Sequence, residues 1–138
     1  MAELKPRPAL DPDSTPFWQA CREHRLIVQR CTQCGRTRFP PGPTCATCGA
    51  PDHDWIDASG RGRVFSWIVV RHPVPADVYA GEVPYVVALI ELEEGVRLVS
   101  NVIGCAPEAV AVDMPVEVMF DDRAGEVPLP KFRPISAP

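Results

Sequence analysis

Two short segments of this chain, Cys31-Thr32-Gln33-Cys34-Gly35 and Cys45-Ala46-Thr47-Cys48-Gly49, repeat one pattern, with ten residues between Cys34 and Cys45. They constrain the fold more than anything else in the sequence. A Cys-x-x-Cys turn presents two sulfurs on one side of a tight loop, and two such turns face to face can surround a tetrahedral ion with thiolates at about 2.3 Å. The glycine after each second cysteine supplies a residue free to turn left-handed and leaves backbone N–H groups aimed at sulfur. A redox pair of the thioredoxin kind would need a βαβ setting, and disulfides would need an oxidising compartment. One structural Zn²⁺ is therefore the first reading of Cys31, Cys34, Cys45 and Cys48, with tetrathiolate iron as the less favoured alternative. Four protein ligands leave no open position for water or substrate.

The rest of the composition agrees with a small folded protein. The chain has 138 residues, enough for one real core and a metal-stapled appendage, and its 17 prolines exclude long helices. No apolar stretch approaches the roughly 18 residues of a membrane span, and residues 1–13 lack the apolar core of a secretory signal. A cytoplasmic protein with no membrane partner is expected. Charge is uneven: residues 1–63 carry a net +2 and residues 64–138 a net −6. Four thiolates on one Zn²⁺ add −2 to the front half, so no strong positive field remains for a phosphate backbone, and nucleic acid is disfavoured.

Along the chain, residues 1–14 mix prolines and charges without periodicity and read as an extended arm. Thr15 reads as an N-cap with Pro16 at the first helical position, opening a short helix to about residue 25. Its apolar members Phe17, Trp18, Ala20 and Cys21 need cover, from this chain or another protein, because so short a helix is marginal alone. A strand over 26–28 leads into the first cysteine pair, and residues 38–43 lead to the second. Beyond Ser59-Gly60-Arg61-Gly62 come β-branched runs at 63–70, 85–92 and 96–103. Glu93-Glu94-Gly95 has the length and late glycine of a three-residue hairpin joining the second and third runs. A helical turn at 107–110, a strand at 116–120 and a proline-flanked edge strand at 127–132 complete the chain. The expected fold is mainly β: a short helix with a zinc ribbon over 15–58, then a five-stranded barrel of the OB type over 59–138.

No catalytic constellation emerges. His24, His53 and His72 are scattered among loops, and no phosphate-binding glycine motif occurs. Cys105 and Cys21 read as small buried hydrophobes. Glu91, Glu93 and Glu94 read as a solvated turn. A second class of function, single-strand nucleic-acid binding, would use Phe65 and Trp67 from one strand face to stack bases. The acidic barrel half opposes it.

Several segments together resemble the DUF35 family: residues 26–34, the prolines at 40, 41 and 43, residues 45–49, Trp55, residues 59–64, Pro84-Tyr85, residues 91–97 and Pro130-Lys131-Phe132-Arg133-Pro134. The resemblance covers residues 15–134 and implies a rubredoxin-like zinc ribbon followed by an OB-fold. One departure is Ala46, where the family often has proline. The resemblance further implies a non-catalytic accessory subunit of a thiolase-like enzyme of the lipid-transfer-protein/thiolase superfamily: a thiolase, acyltransferase or steroid side-chain aldolase. An accessory to a MaoC-like enoyl-CoA hydratase is the alternative. On this reading Phe17, Trp18, Phe39 and Pro41 dock the partner. The proline-rich link over 71–84 then lies near acyl-CoA, with Arg71, Tyr79 and Tyr85 as its proximal residues.

Overall fold

The computed structural model describes residues 5–124 and 127–135. An arm without regular structure ends in a turn closed by Asp11, whose carboxylate accepts the Ser14 N–H at 2.8 Å while its carbonyl accepts the Thr15 hydroxyl at 2.6 Å. Helix α1 spans Thr15–Arg22, with Ser14 rather than Thr15 at the N-cap and Pro16 in the first turn. It stops short of residue 25 because His24 turns left-handed (φ 57°) and the Arg25 N–H returns to the Ala20 carbonyl.

The ribbon is a three-stranded antiparallel sheet of β1 (Ile27–Cys31), β2 (Thr37–Arg38) and β3 (His53–Asp57) in the order β2-β1-β3. Strand β3 has no sequence signature of its own, and its pairing with β1, from Ile27↔Asp57 to Cys31↔His53, makes it a strand. Beneath the sheet Gln29 is wholly buried. Its Oε1 accepts from Arg38 Nε (2.8 Å) and Gly42 N–H (2.9 Å), which leaves its amide nitrogen to donate to His53 Nε2 at 3.2 Å. This pins residues 39–43, the segment between the two cysteine turns.

Strands β4 (Arg61–Val70), β5 (Tyr85–Leu92), β6 (Arg97–Val102), β7 (Pro115–Asp121) and β8 (Leu129–Pro134) close a barrel in the order β4-β5-β6-β8-β7. Only β6–β8 is parallel, as in an OB-fold. The hairpin turns at Gly95 (φ 90°), with Glu91 opposite Arg97. Two expectations are corrected. The last strand is not an edge: β8 lies between β6 and β7, and Phe132 is fully buried. Its prolines are tolerated because β8 meets β6 in register only at Val102↔Phe132. Phe65 and Trp67 do not share a face either. A bulge between Val64 and Ser66 turns Phe65 outward beneath the Arg97 guanidinium (3.8 Å to the ring centroid), while Trp67 packs on the core. The base-stacking pair is thereby lost.

One core runs through both parts, joining Phe17, Ala20, Cys21 and Val28 to Val64, Ile90, Val116 and Phe132. The apolar face of α1 is thus covered within this chain. Glu94 also ties the parts together, its carboxylate accepting the Ser59 N–H and its carbonyl the Thr37 hydroxyl, both at 2.9 Å. Glu91 is held by Arg63 and Arg97, so Glu91 and Glu94 are structural, whereas Glu93 is exposed as a solvated turn residue. Among the described residues, no helix is long and apolar enough to cross a membrane.

Candidate metal centre and flanking clefts

The two cysteine turns fold alike. Gly35 N–H bonds the Cys31 carbonyl (2.9 Å) and Gly49 N–H the Cys45 carbonyl (2.8 Å), and both glycines sit at φ 77°. The Cys31 and Cys45 N–H groups are closed by the carbonyls of Arg36 and Ala50. The four sulfurs lie within 4.8 Å of one another, with Cys31–Cys48 and Cys34–Cys45 at 3.6 Å. A tetrahedral tetrathiolate with bonds of about 2.3 Å needs sulfurs about 3.8 Å apart, so the donor set fits a structural metal ion. Backbone N–H groups favour thiolate here: that of Cys34 lowers Cys31, and those of Cys48 and Thr47 bring Cys45 down to about 6. The Ala50 N–H pulls Cys48 the same way, but burial and the neighbouring sulfurs outweigh it and push that thiol up to about 11. Four such sulfurs need a cation between them to be ionised together.

The two cysteines outside this cluster differ from each other. Burial raises Cys21 to about 12, which leaves it inert. Cys105 is only half-buried, and it lines a cleft that no histidine enters.

That cleft, of about 440 Å³, brings Tyr79 and Tyr85 together, their ring centroids 6.1 Å apart. Tyr79 ends a one-turn helix, α2 (Ala76–Tyr79), within the proline-rich link, and Tyr85 opens β5. Arg71 does not join them. It is exposed, with its guanidinium 3.9 Å from the Glu108 carboxylate. The cleft's cations are instead Lys5, Arg123 and Lys131, which the sequence reading missed. The available signal for Lys131 was its place beside the inward Phe132 on β8, which turns Lys131 outward.

Lys131 is held by Asp121, a buried carboxylate bonded to Lys131 Nζ at 2.7 Å and Arg123 Nε at 3.0 Å. Arg123 first, then Lys131 against the opposing effect of burial, keep this carboxyl far below its usual range. Its contribution is therefore present above the unfolded carboxyl value of about 3.9 and lost as pH falls through the folded one. Asp121→Asn strands the Lys131 ammonium and is expected to cost about 3 kcal/mol at pH 7. Urea midpoints should show that gap from wild type narrowing below pH ~4.

A second, apolar groove of about 470 Å³ runs between α1 and the outside of β6. Phe17, Trp18, Phe39 and Pro41 all line it. Phe17 is only 3% exposed and packs on Phe39 (5.2 Å) and Trp18 (4.9 Å), so it forms the groove floor. The groove opens onto Val99, which is 69% exposed and continues an apolar outer barrel face through Leu89 opposite it and Val87 to Ile68, which is opposite Val87. Asn101 and Leu129 border both cavities, which are therefore neighbours on the barrel.

Comparison with known proteins places this architecture. Residues 18–54 match the family model described as ChsH2, rubredoxin-like zinc ribbon domain, and residues 55–121 match ChsH2, C-terminal OB-fold domain. The chain is 46% identical over 131 residues to a probable enoyl-CoA hydratase alpha subunit of Thermomonospora curvata, covering 95% of this chain and 40% of that protein. The chain thus spans about two fifths of that relative's length. It is 39% identical to a DUF35 domain-containing scaffold protein of Methanocaldococcus jannaschii, covering 75% of this chain and 73% of the relative. It is 31% identical to the benzoylsuccinyl-CoA thiolase subunit BbsA of Thauera aromatica, covering 96% and 97%. Among solved structures, one titled Ltp2-ChsH2(DUF35) aldolase superposes with a TM-score of 0.83 at 46% identity, covering 93% of this chain and 98% of that one.

Proposed function

The chain belongs to the DUF35 family, and from that premise we propose that it is an accessory subunit that docks on a thiolase-like acyl-CoA enzyme and helps hold the acyl-CoA. The observation that carries this reading is the apolar groove, where Phe17, Trp18, Phe39 and Pro41 converge and pass into the exposed face at Val99. An antiparallel sheet exposed to water on one side alternates apolar and polar residues. Here β5 reads Tyr-Val-Val-Ala-Leu-Ile and stays apolar on both faces, as a surface covered by a partner would. The relatives' names agree: a scaffold protein, a thiolase subunit and an aldolase complex. The hydratase name belongs to a protein of which this chain matches only a part.

The division of labour follows from the residues. The tetrathiolate site, for which zinc is the proposed ion, has its ligands filled and serves to hold the loop bearing Phe39 and Pro41. The cleft supplies aromatic faces at Tyr79 and Tyr85 and cations at Arg123 and Lys131 for the anionic end of a CoA thioester. The bond-making groups are then the partner's. The proposed partition is arm over 1–14, helix and ribbon over 15–58 and barrel over 59–138, in the cytoplasm.

Trp18→Ala and Val99→Arg are each expected to weaken association with the thiolase-like subunit about 30-fold, as loss of an interface anchor does. Calorimetric titration of the folded variants with that subunit is the measurement. Wild-type affinity in both would remove the groove from the docking surface.

A further inference from the structure

The N-terminal arm borders both cavities: Lys5 and Pro6 line the cationic cleft, and Pro8, Ala9, Asp11 and Ser14 line the groove. Pro6 and Pro8 keep it extended up to the turn at Asp11, so it runs along the barrel without folding on itself. Over the cleft, Lys5 Nζ meets Glu82 Oε1 at 2.7 Å, a contact between residues 77 apart in sequence. Glu82 follows α2, its N–H bonded to the Tyr79 carbonyl at 2.9 Å, and so stands on the same wall as the tyrosines.

The three cations of the cleft are not equivalent. Lys131 and Arg123 converge on Asp121, which is 2% exposed and built into the barrel. Lys5 has a counter-ion at the rim instead, and the two side chains are 28% and 37% exposed. A pair this accessible is weak and exchanges readily. A phosphate offers a Lys ammonium more charge and more acceptor oxygens than one carboxylate does.

We propose that Lys5 is a binding residue of the cleft and that Glu82 holds its place: a phosphate of the acyl-CoA displaces the Glu82 carboxylate from Lys5, while the arm keeps its position along the cleft. The inference rests on the reading that this cleft takes acyl-CoA. It requires no refolding of the arm, because only two side chains change partners. Glu82 thereby competes with the ligand for Lys5 and also lies in the field of Arg123, so its removal strengthens binding more while Lys5 is present than without it.

The test is a double-mutant cycle on the full chain, with coenzyme A as the probe and calorimetry at low salt as the readout. Lys5→Gln should weaken binding about fivefold, and Glu82→Gln should strengthen it about threefold. In the Lys5→Gln background, Glu82→Gln should give a clearly smaller gain, the part that Glu82 exerts through the field at Arg123. Wild-type affinity in Lys5→Gln overturns the proposal. So does an equal gain from Glu82→Gln in both backgrounds, which marks a general field effect rather than an exchange of partners. If the wild-type chain binds no coenzyme A, alone or in complex with the thiolase-like subunit, the cleft reading itself falls and takes this inference with it.

Discussion

Replacing Cys31 or Cys45 with serine is expected to reduce bound metal from about one ion per chain to about none and to release the ribbon while the barrel keeps its strands. Both cysteines are buried, and each closes its own turn through a backbone pair, with Arg36 or Ala50. Without the ion, the thiolates favoured by backbone N–H groups lose the charge that offsets their repulsion. The three-stranded sheet is too small to stand alone, β2 being only two residues long. The barrel has its own closed hydrogen-bond circuit and retains most of the shared core. Elemental analysis together with hydrogen exchange resolved along the chain would check both halves of the result. Protection lost at residues 27–57 but kept in β4–β8 is expected. A ribbon that stays protected without metal would sink the structural role of the site. The groove proposed for docking should fail with the ribbon, since Phe39 and Pro41 hang between the two turns, so chelation should weaken partner binding as Trp18→Ala does.

The second large effect is expected at Gly62, where β4 crosses β5. A Cβ there would lie 2.4 Å from the Glu91 carbonyl oxygen and 3.2 Å from the Ile90 side chain. Neither neighbour can give way cheaply. The carbonyl is sheet backbone opposite Gly62, in the register Gly62↔Leu92, and Ile90 is fully buried. Gly62→Ala must therefore part the two strands locally, at about 3 kcal/mol. Gly81→Ala is the control: nothing lies within 4 Å of a Cβ there and its backbone needs no left-handed angle, so a change within about 1 kcal/mol is expected. Urea midpoints of the two variants would decide it. Equal stability of both would mean that the barrel tolerates an opening at β4–β5 that the packing here excludes.

What the sequence determined by itself was local. Cys-x-x-Cys-Gly turns, a proline-opened helix, a hairpin with glycine at its left-handed position and long β-branched runs each write their structure within a few residues of chain. The metal ligands and barrel strands were legible for that reason. Their wider pattern also marked the family. Tertiary structure decided what depends on partners distant in sequence. Strand β3 exists because β1 offers it an edge, and β8 is interior because it closes the barrel between β6 and β7. The bulge at Phe65 reverses which side chains face out, a one-residue shift that alternation alone cannot reveal. The cleft is assembled from an N-terminal arm, a loop, and the strands and turns of the barrel, so Lys5, Arg123 and Lys131 carried no common signal in the sequence. Arg71 carried one, in its proline-rich link, but the path of that loop aims it at Glu108. The physical reason is the same throughout: spacing along the chain sets local geometry, whereas a cavity is made by elements that only the closed fold brings side by side.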